Sequence, residues 1–277
     1  MNQQNFTFHQ YKTDFYGQYW QPENLAQVKA VIVLVHGMGE HLGRYQHVAE
    51  ELVKNNYTVV AYDQFGHGKT TGKKGHNPSF EALLESVDKA INKAKELHPK
   101  LPVFLYGHSM GGNVVINYTL RKEHDLKGVI ATSPFLQLAF QPPAWKLTAG
   151  KILQKITPSV TLPSELETSH ISRIPEEVTA YENDPLVHDK ISPNYGITII
   201  NTGKWAIENA TKLKTPMLLL HGTDDKIIDY KGTEAFHKNS TSSELKLYPE
   251  GYHELHNDFC KDEMLNDIIT WLNSKVS

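Results

Sequence analysis

Gly107-His108-Ser109-Met110-Gly111 places a serine between two glycines. An apolar run, Val103-Phe104-Leu105-Tyr106, precedes it, and a helix-like run from Asn113 to Arg121 follows. Strand, G-x-S-x-G, helix is the setting of a nucleophile elbow, a sharp turn that lifts the serine hydroxyl clear of the sheet. A serine hydroxyl attacks only when a base takes its proton and an acid orients that base. With such an elbow the acid follows a late strand and the histidine follows the last one. Met217-Leu218-Leu219-Leu220 runs into His221-Gly222-Thr223-Asp224-Asp225, and Leu245-Lys246-Leu247-Tyr248 runs into Pro249-Glu250-Gly251-Tyr252-His253. His253 follows the Gly251 turn and reads as the base, whereas His256 opens the final helix and reads as structural. The adjacent Asp224 and Asp225 stand at parity by position alone. Acyl transfer also needs N–H donors for an oxyanion: the residue after the serine, Met110, and one from the loop His36-Gly37-Met38-Gly39-Glu40-His41, where Met38 is the expected donor.

These residues need a scaffold of strand ends. Val31 to Val35, Thr58 to Tyr62, Val103 to Tyr106, Gly128 to Thr132, Met217 to Leu220 and Leu245 to Tyr248 are short β-branched or apolar runs, as expected of parallel strands covered on both faces. Phe6-Thr7-Phe8 and Gln18-Tyr19-Trp20 read as a hairpin of edge strands. Helices are predicted at roughly 44–55, 79–98, 109–123, 203–213, 230–239 and 258–274, the last from its Leu265, Ile268, Ile269, Leu272 stripe. The alternation predicts an α/β fold, a mostly parallel central sheet with helices on both faces. It breaks once, between Thr132 and Gly203, far beyond the usual loop of about two to six residues. The expected organisation is a core of 1–134 and 201–277 with an inserted cap, or lid, at 135–200. The insert opens with Phe135, Leu136, Leu138 and Phe140. Trp145, Ala149, Ile152, Leu153 and Ile156 then share a helical face, with Lys146, Lys151 and Lys155 elsewhere on the turn. Phe135, Leu136, Phe140, Trp145 and Ile152 are the expected substrate-lining residues.

Composition narrows the function classes. A net charge of −3 with 21% charged residues gives no sign of a nucleic-acid partner. The single cysteine, Cys260, excludes an internal disulfide and reads as a packing residue, so a reducing, cytoplasmic setting is expected. The polar start Met1-Asn2-Gln3-Gln4-Asn5 lacks the pattern of a signal peptide. Ala30 to Val35 is too short to span a bilayer, so a lipid substrate is expected to be met from the water side, peripherally. Gly66-His67-Gly68-Lys69-Thr70 resembles the end of a phosphate-binding loop, but Asp63 stands where that motif needs glycine. Neither His36 with His41 nor His253 with His256 is joined by a carboxylate or cysteine at a metal spacing. No metal, cofactor or obligate protein partner is expected.

The ordered set of motifs resembles the monoacylglycerol lipase and lysophospholipase branch of the α/β-hydrolases. It comprises His36 to His41 with Arg44-Tyr45, Tyr62-Asp63-Gln64-Phe65-Gly66-His67-Gly68, and Gly107 to Gly112. It continues with Asn183-Asp184-Pro185-Leu186, His221 to Asp225, and Glu250 to His253. The resemblance implies a triad of Ser109, Asp225 and His253, so it selects Asp225. It also implies an oxyanion hole at Met38 and Met110, and a cap bearing an acyl tunnel. It brings Glu40, Arg44 and His108 together behind the oxyanion loop as a bracing network, so that losing Arg44 should cut turnover far more than stability. The implied activity is cofactor-free hydrolysis of lipid carboxylic esters, monoacylglycerols first, with transient contact between the cap and a membrane or micelle. The alternatives are a lysophospholipase or broad carboxylesterase with the same machinery, or a non-catalytic ligand-binding homologue.

Overall fold

The computed structural model describes residues 1–276. The chain starts as a hairpin of β1 (Asn2–Gln10) and β2 (Thr13–Gln21), turned by Tyr11 and Lys12 at φ 48° and 59°. Two successive left-handed residues match the strand twist. Of the two hairpin strands, β1 is an edge strand and β2 is not. Phe15 and Trp20 of β2 are buried on its two opposite faces, and β2 pairs antiparallel with a later strand, so the expected pair of edges becomes one.

The alternation of strands and helices then follows. In order come β3 (Ala30–Val35), α1 (Gln46–Lys54), β4 (Tyr57–Tyr62), α2 (Phe80–Leu97), β5 (Val103–His108), α3 (Met110–Arg121) and β6 (Gly128–Thr132). After a long excursion the chain returns through β9 (Met217–Gly222), α7 (Tyr230–Asn239), β10 (Ser243–Tyr248) and α8 (Lys261–Val276). The sheet order is β1-β2-β4-β3-β5-β6-β9-β10, and all pairings from β4 to β10 are parallel. The period of two along β3 divides the interior. Val31, Val33 and Val35 face Leu83, Val87 and Val114 on one side, and Ile32 and Leu34 face Val48, Leu52, Ile268 and Leu272 on the other. Parallel strands bring the turns after β3, β5, β6, β9 and β10 to one edge of the sheet, where ligands bind in such folds.

The excursion carries α4 (Ala144–Ile156), the two-residue strands β7 (Leu162–Pro163) and β8 (Lys190–Ile191), α5 (Pro175–Asn183) and α6 (Pro193–Glu208). The helix expected from 203 starts ten residues earlier. Pro193 takes the first helical position, the Ser192 side chain caps the Tyr195 N–H at 3.2 Å, and Tyr195 and Ile199 are fully buried. Residue 200 therefore lies inside a continuous helix. Two stretches of the excursion dock on the strand-end loops. Ile171 accepts from the Glu254 N–H at 2.8 Å, and the Ser172 hydroxyl donates to the Asn257 carbonyl at 2.6 Å. His188 N–H donates to Gly39 at 2.9 Å, and His41 pairs with Asp184 at 2.8 Å, which gives the Asn183-Asp184-Pro185-Leu186 motif a place.

Candidate active site

The elbow is built as its sequence requires. Ser109 sits at φ 53° and ψ −116° between β5 and α3. A Cβ at Gly107 would strike the Gly111 carbonyl, and one at Gly111 would strike the carbonyls of Val35 and His36, so neither position admits a side chain. Holding serine at positive φ stores strain of about 1–3 kcal/mol, which the surrounding structure must overcome. The strained turn aims the hydroxyl at the loop after β10. Ser109 Oγ lies 2.9 Å from His253 Nε2, and His253 Nδ1 lies 2.7 Å from Asp225 Oδ2.

The order of protons follows from the acid. Asp225 Oδ1 accepts two backbone N–H groups, from Ile227 and Ile228, each at 2.9 Å. Its Oδ2 faces His221 Nε2 at 3.1 Å as well as His253. Burial pushes the carboxyl up, but the two histidines and these hydrogen bonds outweigh it and hold Asp225 well below the ordinary carboxylate range. A carboxylate only accepts, so His253 carries its proton on Nδ1 and offers Nε2 to the serine. Asp224 is exposed and contributes its N–H to the Gly251 carbonyl at 3.1 Å, which breaks the tie between the two aspartates. Burial pulls His253 down, yet Asp225 outweighs burial and raises it, helped by Glu254 and Glu40.

Behind the oxyanion loop lies a buried ion network. Glu40 Oε1 accepts from the Gly37 N–H at 2.5 Å and from the Tyr45 hydroxyl at 2.6 Å. Arg44 reaches Glu40 at 3.1 Å and grips Glu254 with two bonds of 2.6 and 2.8 Å. Its guanidinium stacks 4.7 Å from the centre of the Tyr181 ring, on α5. With one cation between two carboxylates, burial leaves Glu40 raised, while Arg44 overcomes burial at Glu254 and lowers it. His108 stands beside this network rather than in it: Nδ1 meets Thr132 Oγ1 at 3.0 Å, and the ring packs 4.9 Å from that of His253. Glu254 had no sequence signal beyond following His253. Burial also changes the expectation for Arg44. Replacing it with alanine strands two buried carboxylates, so Arg44→Ala should lose roughly 3–5 kcal/mol of stability, measured by urea unfolding, as well as turnover.

Gly39, at φ 78°, lets the oxyanion loop pass under the His188 carbonyl, which a Cβ would approach at 2.6 Å. Met38 lines the cavity above Ser109. Met110 opens α3, where a helix offers its first N–H groups no internal acceptor. Either backbone could therefore serve a developing oxyanion.

Ser109 opens into a cavity of about 530 Å³. Its surface is largely apolar, with Phe135, Leu138, Phe140, Leu166, Ile171, Ile191, Ile199, Ile200, Ile227 and Ile228 among the lining residues. Of the expected lining residues, Phe135 and Phe140 are there, but Leu136, Trp145 and Ile152 are not. Leu136 turns into the main core. α4 packs on α6 and buries none of its residues, which leaves Trp145 69%, Ile152 53% and Ile156 71% exposed. The stripe predicted an amphipathic helix correctly but could not say which way it faces.

A serine, an imidazole and an ionised carboxylate in a relay, beside candidate oxyanion donors and a largely apolar cavity, can split an ester by acyl transfer. Residues 26–259 match the family described as serine aminopeptidase, S33 (Hydrolase_4). The chain belongs to that family. It is 32% identical to rat monoglyceride lipase over 94% of its own length and 86% of that protein. It is 35% identical to phospholipase YtpA of Bacillus subtilis, over 83% and 89%. A 36% identical Dictyostelium discoideum protein, an uncharacterised abhydrolase domain-containing protein, matches 89% of the chain, but the chain spans only 26% of its length. The crystal structure of Paleococcus ferrophilus monoacylglycerol lipase superposes with a TM-score of 0.86 at 34% identity, over 94% of this chain and 99% of that one. The fold is that of the α/β-hydrolases, and the chain is a serine hydrolase.

Proposed function

We propose that the chain hydrolyses monoacylglycerols to glycerol and fatty acid. The observation that carries this reading is the Ser109–His253–Asp225 relay opening onto a cavity with a largely apolar surface that includes Phe, Leu and Ile side chains, suited to one acyl chain. The similarity to proteins named monoglyceride lipase supports it. Ser109 attacks the ester carbonyl while His253 takes its proton. Asp225 keeps His253 in the required tautomer and steadies its charged form, and the N–H groups of Met38 and Met110 receive the oxyanion. Glycerol leaves with the proton from His253, and water releases the fatty acid by the same route.

An aminopeptidase would need a free carboxylate to hold an amino terminus. Of the carboxylates that line the cavity, Glu40 and Glu254 are bound to Arg44 and Glu165 pairs with Lys146 at 2.6 Å, which leaves Glu167, an exposed residue that accepts from the Ser169 hydroxyl at 3.2 Å, as the remaining candidate for that role. A phospholipase activity is the second reading, favoured by the likeness to YtpA and by Lys190 and Lys226 at the cavity wall. Parallel assays on monoacylglycerols, diacylglycerols and lysophospholipids of several chain lengths decide. Highest kcat/KM on monoacylglycerols is expected, and a clear preference for lysophospholipids overturns the first reading in favour of the second.

In the same reading, 135–200 acts as a lid. α4 offers exposed Trp145, Ile152 and Ile156 together with Lys146, Lys151 and Lys155 and no acidic residue, a pattern suited to the surface of a lipid aggregate. No helix among the described residues is long and apolar enough to cross a membrane. The double variant Trp145→Ser, Ile156→Ser should lose binding to anionic lipid vesicles by about tenfold, from the apolar area removed, while hydrolysis of a short soluble ester is retained.

The pH dependence follows from His253. Catalysis needs it neutral, and its pKa is raised, so kcat/KM should fall on acidification with a midpoint above the ordinary value of about 6.5. Glu254 contributes to that rise. Removing its charge disfavours the imidazolium, so Glu254→Gln should move the midpoint of the acid limb to lower pH, as read from pH–rate profiles of both proteins.

A further inference from the structure

We infer that Ser133 is a positioning residue, whose hydroxyl holds the loop carrying His253 in register with Ser109. The inference rests on the triad proposed above. Ser133 is the first residue after β6 and is fully buried. Its φ of 42° lies in the left-handed region, where a serine is uncommon and glycine or asparagine would sit with less strain. The hydroxyl accounts for a serine at this place. Its Oγ donates to the backbone carbonyl of His253 at 2.7 Å.

The neighbours of Ser133 complete the hold. Thr132 accepts the Ser109 N–H at 2.9 Å, and the Phe135 N–H returns to the Ser109 carbonyl at 2.9 Å. Ser133 N–H donates to Leu220 at 2.8 Å, within β9, the strand that leads to Asp225. Three residues at the mouth of the excursion, Thr132, Ser133 and Phe135, thus touch the backbone of the serine turn, the histidine loop and the strand before the acid. Asp225 fixes the His253 ring at Nδ1, and Ser133 fixes its backbone. Together they set where Nε2 points. Without the hydroxyl the buried His253 carbonyl loses a donor that solvent cannot replace, and the loop has reason to shift. A displacement near 1 Å in a catalytic group can lower a rate by about a hundredfold.

Two substitutions separate the hydroxyl from the strain. Ser133→Gly removes both, and Ser133→Ala removes only the hydroxyl. Both should lower kcat on a soluble ester by about tenfold or more, with KM within about twofold. Ser133→Gly should melt no lower than Ser133→Ala, because the backbone strain is relieved. Ser133→Thr, which restores a hydroxyl on a more strained backbone, should melt lower yet recover kcat relative to Ser133→Gly. A wild-type kcat in Ser133→Gly overturns the inference, as does a change confined to KM. The downfield Nδ1 proton of His253, seen by NMR, reads the same geometry without turnover. Its shift or broadening in Ser133→Gly is the expected result, and an unchanged signal overturns the inference even if the ester reading itself fails.

Discussion

Replacing Ser109 with alanine should lower kcat on a soluble ester by roughly a millionfold, the scale of losing the nucleophile from a coupled triad. The expectation rests on geometry: Ser109 Oγ is the group that His253 Nε2 faces, at 2.9 Å. Folding should not suffer. The side chain does not cap α3, and the strain at φ 53° is a backbone property that alanine shares. The melting temperature should therefore stay near that of the wild type, and covalent labelling by a fluorophosphonate should disappear. Activity that persists in Ser109→Ala would place the chemistry elsewhere.

Asp225→Asn should cost about 10⁴ in kcat, while Asp224→Asn should stay within about 0.5 kcal/mol of wild-type stability and keep its turnover. The neighbours of Asp225 explain the severity. The Ile227 and Ile228 N–H groups hold one oxygen, so an asparagine would keep its carbonyl there and turn its NH₂ toward His253. An amide donor facing Nδ1 drives the histidine proton onto Nε2, and that nitrogen can then no longer accept from the serine. Asp224 is exposed and takes part through its backbone, which asparagine preserves. Steady-state kinetics of the two variants, with circular dichroism to establish folding, check the contrast. Equal losses in both would assign the acid wrongly.

Much of this site was legible in the sequence because its parts sit on strand ends. A strand running into a glycine-bearing turn with a polar residue announces itself locally, and Ser109, the Asp224–Asp225 pair and His253 each follow one. The choice between Asp224 and Asp225 was not local. It depends on how the turn after β9 directs two successive side chains, and only the resemblance to known lipases selected one. Glu254 and Ser133 were invisible for a related reason. Each acts on a partner distant in sequence, Arg44 in one case and the His253 carbonyl in the other, and neither pairing leaves a periodic trace. The start of α6 was obscured by Gly196 and Gly203, residues that weaken a helix pattern. Gly203 is there because α6 passes close to the Phe135 and Leu136 carbonyls. The apolar stripe of α4 is visible in the sequence, but periodicity does not say whether it faces a cavity or solvent.

The roles separate along the chain. The core sheet sets the relay, the excursion between β6 and β9 supplies most of the apolar wall, and the loops at 171–173 and 184–188 tie the two together. A change in the excursion can therefore reach the oxyanion loop through His188 and Gly39, and the histidine loop through Ile171 and Glu254.

Acid-quenched mass spectrometry during turnover of a monoacylglycerol tests the central claim most directly. A fraction of the protein is expected to carry one acyl group, mapped by peptide analysis to Ser109, and to lose it as substrate is exhausted. Turnover with no acyl-protein at any quench time, or an acyl group on another residue, would contradict the account.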